Sequence, residues 1–335
     1  MGIDTSVIWA VIIYFSVFMY VLLDGFDLGI GMLFPFVKEK GDRDTMMNTV
    51  APVWDGNETW LVLGGTGLLA AFPVAYSIIL SGLYLPLTFM LVGLVFRGVA
   101  FEFRFKAREH GRHVWDKAFI GGSVVAAFFQ GVALGSFLDG ITVSGRSYAG
   151  GTLDWIAPFP LLSGFGVMIA YTLLGSTWLI MKTEGELHKR MVQVARPFAL
   201  MLLGAVVVVS IWTPLRDAAV ADRWFTFPNI VFLAPVPILV LLSIALLLGS
   251  LKRDPHRWPF VAALALVFLG YTGMAISIWP HIVPPFITIW EAASPPSSQG
   301  FALVGTLFIL PIILMYTVWS YWVFRGKVKA DAAYH

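Results

Sequence analysis

The order of apolar and polar residues divides the chain into nine apolar stretches separated by short polar segments. Each stretch has about the 20 residues that a helix needs to cross the hydrocarbon core of a bilayer. We therefore predict an all-α, polytopic membrane protein with nine transmembrane helices. The predicted spans cover residues 8–35, 54–75, 78–102, 118–138, 156–181, 197–214, 229–250, 259–281 and 301–324.

Only a few residues separate the second and third spans, so we place a turn at Tyr76–Ser77 and predict a tight antiparallel pair. The first six residues contain Asp4 and no base, which favours a retained first helix over a cleaved signal peptide. No soluble domain interrupts the spans, so residues 1–335 are predicted to form a single membrane domain.

The composition supports this class of protein. Hydrophobic residues make up 58% of the 335 positions and charged residues only 13%, whereas soluble domains carry about 25% charged residues. The chain has no cysteine, which excludes disulfides, thiolate metal sites and iron–sulfur ligands.

The positively charged residues indicate the orientation of the spans. If the N-terminus lies outside, 18 of the 22 Lys and Arg residues fall in cytoplasmic segments, and Arg97 lies inside a span. Lysine and arginine are enriched on the cytoplasmic side of membrane proteins. We therefore predict an outer N-terminus and a cytoplasmic C-terminus. The three bases in outer segments are Arg146, Arg216 and Arg223.

The segment Asp-Gly-Phe-Asp-Leu-Gly-Ile-Gly, from Asp24 to Gly31, places two carboxylates inside the first apolar run. A carboxylate in hydrocarbon is costly unless it is protonated, paired or faces a wet cavity, so it indicates a functional site. Asp24 and Asp27 are three residues apart and therefore lie on one face of the helix. The glycines are more typical of close helix packing than of a ligand loop.

Ionisable residues inside the predicted spans are concentrated in the first three. The second span begins with an Asp-Gly-Asn-Glu segment, and the third contains one arginine near its cytoplasmic end. At about 1.5 Å of rise per residue, these groups form a graded series from the cytoplasmic face towards the membrane centre. In order of increasing depth they are Asp55, Glu58, Arg97, Asp27 and Asp24.

Two interpretations of this series are open. In the first, Arg97 neutralises one or two acids and the cluster only pins three helices together. In the second, the acids relay protons, or bind a cation, that enter from the cytoplasm. Four acids beside a single buried base leave an excess of negative charge that pinning does not require, so we favour the second interpretation.

The histidines lie away from the middle of every predicted span. Five fall in predicted cytoplasmic loops or the tail, and the sixth falls at an outer helix end. A b-type haem needs a side-chain axial ligand, most often histidine. We therefore expect this chain alone to hold no haem and no metal. The six residues are His110, His113, His188, His256, His281 and His335.

Three motifs follow one another in the first hundred or so residues. They are the Asp24–Gly31 segment, Ala51-Pro-Val-Trp-Asp-Gly-Asn-Glu-Thr-Trp60, and Phe96-Arg-Gly-Val-Ala-Phe-Glu-Phe-Arg104. Their order and spacing resemble those of subunit II of the cytochrome bd-type quinol oxidases, and the resemblance extends over the whole chain in length and helix number. The short chain, and Glu58 where many members have glutamine, are more similar to the cyanide-insensitive branch.

The resemblance implies a fold of two four-helix bundles plus a peripheral helix, with residues 1–140 forming the first bundle and residues 141–335 the remainder. It implies a heterodimer in the bacterial inner membrane with a haem-bearing subunit I. That partner would hold haems b and d, oxidise ubiquinol and reduce dioxygen to water. The chain itself would bind no haem, support its partner and provide an acid-lined proton route from the cytoplasm. Small accessory subunits and a structural ubiquinone fit the family, and we expect no nucleic-acid partner.

The resemblance also implies roles for particular residues. Trp54 matches a position near a bound structural quinone in some members, and no catalytic residue is expected. Asp24 and Asp27 lie deepest in the series, and from that depth they are predicted to be the exit towards the partner. One alternative is a proton- or cation-coupled secondary transporter, although such folds usually show repeats and the two halves here differ sharply in buried charge. Another is a scaffold with inert acids. The residues that match the polar route are Asp24, Asp27, Asp55, Glu58 and Arg97.

Overall fold

The structure is a computed structural model that describes residues 4–253 and 256–328. Lys329 and His335, which the sequence assigns to the cytoplasmic tail, lie outside these described residues. Most of the described chain is helical, which confirms the predicted all-α class.

The first half contains six α-helices, and a 3-10 turn at Phe34–Phe36 follows the first of them. The cap of the first helix is Asp4, whose carboxylate accepts from the backbone N–H groups of Ser6 and Val7. The helices are α1 Thr5–Leu33, α2 Lys40–Asn48, α3 Trp54–Ala71, α4 Pro73–Gly82, α5 Tyr84–Lys106 and α6 Arg112–Asp139.

The second half adds seven helices, and two short antiparallel hairpins lie in predicted outer segments. The helices are α7 Pro158–Lys182, α8 Gly185–Arg216, α9 Ala218–Phe225, α10 Asn229–Leu233, α11 Pro235–Arg253, α12 Trp258–Ile278 and α13 Pro296–Val323. The hairpin strands are β1 Val143–Ser144 with β2 Ser147–Tyr148, and β3 His281–Val283 with β4 Ile287–Thr288.

Eight helical stretches within residues 4–253 and 256–328 are long and apolar enough to cross a membrane, so the chain is a multi-pass membrane protein. They correspond to all of the predicted spans except the second. Helix α3 is not among them, because its first turn carries the polar Asp-Gly-Asn-Glu segment. The count of nine spans therefore stays a prediction.

The predicted turn at Tyr76–Ser77 is wrong, because both residues lie inside α4. Helix α3 ends instead at Ala71. Phe72 caps it directly before Pro73, since proline lacks an N–H group and disfavours helical geometry in the preceding residue. The predicted tight pair is also wrong. Helix α3 packs mainly on α1 and α13, and α5 packs mainly on α6.

Helix α1 lies at the centre of the molecule, where it packs on α3, α6, α7, α12 and α13. Every residue from Asp24 to Leu33 is buried. Neighbouring helices therefore enclose the half of α1 that carries the two aspartates, and this enclosure positions the site described below.

Glycines allow these close approaches, which confirms the packing role predicted for the Asp24–Gly31 segment. A Cβ on Gly29 would overlap the carbonyl oxygen of Tyr171, and one on Gly175 would lie 2.6 Å from the Gly29 carbonyl carbon. Helices α1 and α7 thus touch backbone to backbone. A second such crossing joins α5 to α6, where a Cβ on Gly93 would lie 2.6 Å from the backbone nitrogen of Ala126.

Candidate functional site

Arg97 of α5 connects the acids of two other helices. Its Nη1 donates to Oδ1 of Asp24 on α1 at 2.6 Å, and its Nη2 donates to Oε1 of Glu58 on α3. The guanidinium is fully buried, and only 1% of the Asp24 side chain is exposed. Hydrogen bonds between ionised partners are about twice as strong as neutral ones. One base therefore joins three helices through two carboxylates.

Asp27 has a different set of partners. Its Oδ2 accepts from Nδ2 of Asn57 at 2.8 Å, and the same Nδ2 lies 3.3 Å from the backbone oxygen of Leu23. The hydroxyl of Tyr321 on α13 donates to Oδ1 of Asn57 at 2.9 Å. A chain of two neutral side chains, from α3 and α13, therefore holds Asp27.

Several polar atoms of this cluster have no hydrogen-bond partner among the described residues. They include Oδ2 of Asp24, Oδ1 of Asp27 and Nε of Arg97, all of which are buried. Buried polar groups in proteins are nearly always paired, and ordered water commonly supplies the missing partner. The contacts within this part of the chain therefore leave one oxygen of each aspartate unpaired.

The carboxylates of the cluster differ in their solvent exposure. Glu58 retains 28% side-chain exposure, whereas Asp24 and Asp27 are fully buried. Glu58 is thus the member of the ion-pair cluster that opens to the surface of this chain. Asp24 does not reach that surface, so transfer from it to a partner needs at least one intervening group. Asp55 is exposed, and its carboxylate joins no ion pair within the described residues.

Trp54 is partly buried and covers Arg97. Its ring stacks on Phe101 with centroids 5.2 Å apart and an interplanar angle of 11°. The Arg97 guanidinium carbon lies 6.0 Å from the centroids of both rings. Cations are attracted to aromatic faces at about this distance. These contacts give Trp54 a place in the site, and its predicted contact with a quinone stays a prediction.

Sequence reasoning missed a second ionic cluster at the predicted cytoplasmic end. Buried Arg104 lies 2.5 Å from carboxylate oxygens of both Asp44 and Asp116, and Arg43 lies 2.9 Å from Asp116. One signal was present, since Arg104 follows Arg97 by seven residues and so lies on the same face of α5. Tyr321 was also missed, and no local pattern connects it to a residue 264 positions away.

A surface ion pair ties Glu39, the residue directly before α2, to α8. Nη1 of Arg190 lies 2.6 Å from Oε2 of Glu39. The hydrogen bond from Arg190 lowers the pKa of the Glu39 carboxyl to about 2. The contact connects the two halves of the chain outside the membrane-spanning segments.

No group of three or more His, Asp or Glu residues could hold a metal ion in the part of the chain that the structure describes. The histidines within it lie in loops, in a short strand or near helix ends. None of these histidines therefore lies in the middle of a described span.

Comparison with known proteins identifies the family. The family described as cytochrome bd terminal oxidase subunit II matches residues 5–324. The chain belongs to this family. It is therefore a subunit of a bd-type quinol oxidase, an oxidoreductase complex.

Curated relatives match over nearly the full length. The chain is 30% identical to cytochrome bd-I ubiquinol oxidase subunit 2 of Escherichia coli K12, covering 97% of this chain and 95% of that protein. It is 29% identical to cytochrome bd ubiquinol oxidase subunit 2 of Bacillus subtilis, covering 96% of both. A chain of the bd oxidase structure from Geobacillus thermodenitrificans superposes with a TM-score of 0.79 at 17% identity, covering 96% of this chain and 99% of that one. The likeness to that structure shows the fold.

In this bd oxidase subunit, the three motifs of the sequence meet at Arg97. The first motif contributes two aspartates, the second contributes Trp54, Asn57 and Glu58, and the third contributes Arg97 itself with Phe101. Asp55 is the member of the predicted series that the fold does not bring into this cluster.

Proposed function

We propose that this chain is the haem-free subunit of a quinol:oxygen oxidoreductase that oxidises ubiquinol and reduces dioxygen to water. In this proposal the acids around Arg97 carry protons from the cytoplasm towards the oxygen-reducing partner. The observation that carries the proposal is the continuous contact Glu58–Arg97–Asp24, which runs from a partly exposed carboxylate to a fully buried one.

Each group in the cluster has a distinct part in the proposed route. Glu58 receives protons at the surface of the chain, with Asp55 attracting them from its exposed position nearby. Arg97 holds one oxygen of Glu58 and one of Asp24, so the second oxygen of Asp24 is free for proton exchange. Three buried or partly buried carboxylates beside one guanidinium favour the binding of protons by the cluster.

The assembly follows the family. We propose nine spans in two four-helix bundles with α13 at the periphery, an outer N-terminus and a cytoplasmic C-terminus in the bacterial inner membrane. Residues 1–140 form the bundle that contains the acids, and residues 141–335 form the second bundle and the last helix. The haem-bearing subunit I is the partner and contains haems b and d, as the family resemblance implies, while the described histidines of this chain lie away from the middle of its spans.

The proposed route makes the oxidase electrogenic. If protons for water formation come from the cytoplasm while quinol releases its protons at the outer face, each turnover separates charge across the membrane. Trp54 is proposed to line a structural ubiquinone site, supported by its partly exposed ring beside Arg97.

The test of the route measures oxygen consumption and membrane potential in vesicles that contain the purified two-subunit complex. Asp24→Asn and Glu58→Gln are expected to reduce proton uptake and charge separation while haem content stays unchanged. Asp24→Asn combined with Asp55→Asn extends the test to the predicted entrance. The matched control is Glu102→Gln, which alters an exposed surface pair with Lys106 on α5. If Asp24→Asn with Asp55→Asn leaves assembly, oxygen consumption and charge separation at wild-type levels, the acids are inert and the chain is a scaffold.

The transporter alternative is not favoured, because the chain belongs to an oxidase subunit family. A haem spectrum in the purified complex is the expected result. A colourless protein that moves a solute across vesicles would contradict the oxidase assignment.

A further inference from the structure

Helix α13 contains no Asp, Glu, Lys or Arg and was predicted to be peripheral, yet it reaches the acid cluster through one hydroxyl. Tyr321 donates to Oδ1 of Asn57 at 2.9 Å. Its ring meets Phe26 of α1 edge-on with centroids 6.4 Å apart, and Trp178 of α7 edge-on at 6.1 Å. Two aromatic contacts from two other helices therefore hold the ring that carries the hydroxyl.

The partners of Asn57 determine which way its amide points. The backbone oxygen of Leu23 has no hydrogen to donate, so it faces the amide nitrogen of Asn57. The amide oxygen then faces Tyr321, which satisfies it with the phenolic hydrogen. Asp27 Oδ2, at 2.8 Å from the same nitrogen, can only accept. A proton on Asp27 therefore belongs on Oδ1, which is buried and has no partner within the described residues.

We propose that Tyr321 is a positioning residue for proton exchange at Asp27. By fixing the amide of Asn57, it keeps Oδ2 of Asp27 as an acceptor in both protonation states and reserves Oδ1 as the oxygen that binds and releases the proton. This inference rests on the proposed proton route. No bond other than O–H is made or broken: the proton that leaves Oδ1 passes to a water molecule, and the proton that binds there comes from one.

Loss of the Tyr321 hydroxyl would allow a competing arrangement. Without the phenolic hydrogen, the amide oxygen of Asn57 loses its donor, and only the Leu23 carbonyl then opposes a rotation that turns this oxygen towards Asp27. A protonated Oδ2 would then donate to that oxygen, and the proton would be held where it cannot move on. Since a single hydrogen bond contributes modestly, we expect about a fivefold slowing of proton uptake.

The experiment compares Tyr321→Phe with Tyr316→Phe in the purified two-subunit oxidase. Tyr321→Phe keeps the ring and its aromatic contacts and removes only the hydroxyl. Tyr316 lies on the same helix with 52% exposure and is a matched control. The readouts are charge separation across the pH range and the infrared bands of the Asp27 side chain, identified by their loss in Asp27→Asn. Haem content reports assembly.

The expected result is a shift of the Asp27 bands and of the pH profile in Tyr321→Phe, with wild-type behaviour in Tyr316→Phe. In an Asn57→Ala background, Tyr321→Phe should have no further effect, because the tyrosine acts through the amide. An additive effect there would indicate a merely structural role and overturn the inference.

Two other outcomes separate this inference from the route itself. If Asp27→Asn lowers charge separation while Tyr321→Phe matches wild type in bands and pH profile, the positioning role is wrong and the route stands. If Asp27→Asn leaves charge separation unchanged, Asp27 is outside the route and the inference fails with that part of the proposed function.

Discussion

Arg97 and Asp24 form an ion pair with 2.6 Å between Nη1 and Oδ1, at a point where neither side chain has more than 1% of its surface exposed. The pair joins α5 to α1 across the interior of the first half of the chain. Around this pair lie the carboxylates of Glu58 and Asp27 and the neutral amide of Asn57. The single guanidinium is therefore the only cation beside three carboxylates in this described cluster.

Substitution of Arg97 should therefore strongly lower the stability of the protein. Arg97→Gln leaves Asp24 enclosed without a cation, and breaking a buried pair from one side costs about 3–5 kcal/mol. We expect a matching loss in the free energy of unfolding and poor recovery of assembled oxidase, measured by thermal denaturation and haem content. Arg325→Gln, at an exposed arginine that lies over Trp322, should behave like wild type. Equal stability of the two variants would show that the enclosed pair contributes little.

The close crossing of α1 and α7 predicts that alanine substitutions at two glycines, Gly29 and Gly65, differ in their effect on stability. Gly29→Ala places a methyl group against the Tyr171 carbonyl oxygen and must push the helices apart. Overpacking of this kind costs about 1–3 kcal/mol or more. Gly65→Ala, where nothing lies within 4 Å, should be neutral or slightly stabilising because alanine favours helices. Thermal denaturation of the two variants checks this, and a tolerated Gly29→Ala would contradict the close approach.

The ionic cluster at the predicted cytoplasmic end predicts a difference in thermal stability between substitutions of Arg104 and Lys106. Arg104→Gln removes the ion pairs that join α5 to Asp44 of α2 and to Asp116 of α6. We expect a clear fall in the temperature of unfolding, since Arg104 is buried. Lys106→Gln is the control, because its pair with Glu102 is exposed and such pairs contribute only about 0.2–0.5 kcal/mol. A similar effect of both substitutions would argue against a special role for the buried arginine.

The Glu39–Arg190 pair predicts a pH dependence. The pKa of Glu39 is lowered to about 2 from its ordinary value of 4.5 by the hydrogen bond from Arg190. A carboxyl with a lowered folded-state pKa stabilises the fold above its unfolded value and loses that contribution as pH falls through the folded value. Glu39→Gln should therefore differ from wild type at neutral pH and converge with it in acid.

Thermal unfolding across the pH range at low salt measures this difference, and high salt should diminish it because the pair is exposed. Parallel curves for wild type and Glu39→Gln, with no convergence below about pH 4.5, would contradict the assignment.

Much of the candidate site could be predicted from local sequence. Charged side chains such as Asp24, Asp27 and Arg97 are easily recognised in apolar segments, because burying a charge in a membrane costs free energy. The i, i+3 spacing places the two aspartates on one face of α1. The fold brings both to the cluster, together with Glu58. Asp55 has the same residue type and span but stays on the exposed side of α3. Which face of α3 points towards α1 and α5 depends on how the helices pack, and the local sequence around Asp55 does not determine this.

The break between α3 and α5 illustrates a further limit. Apolar length alone does not distinguish two adjacent spans from two spans joined by the ten-residue helix α4. Pro73 was a local signal of the true end of α3, and the short apolar run after it hid the second break at Leu83.

The sequence by itself determined the class of the protein, its apolar helices and the set of costly charges, because hydrophobicity and helical periodicity are local properties. Only the tertiary structure decided which groups meet. It placed Glu58 at the opening of the cluster, enclosed Asp24 away from the surface and brought Tyr321 to Asn57 from 264 residues away. These contacts join distant parts of the chain, and they depend on how closely glycine-lined helices approach and how they rotate against one another.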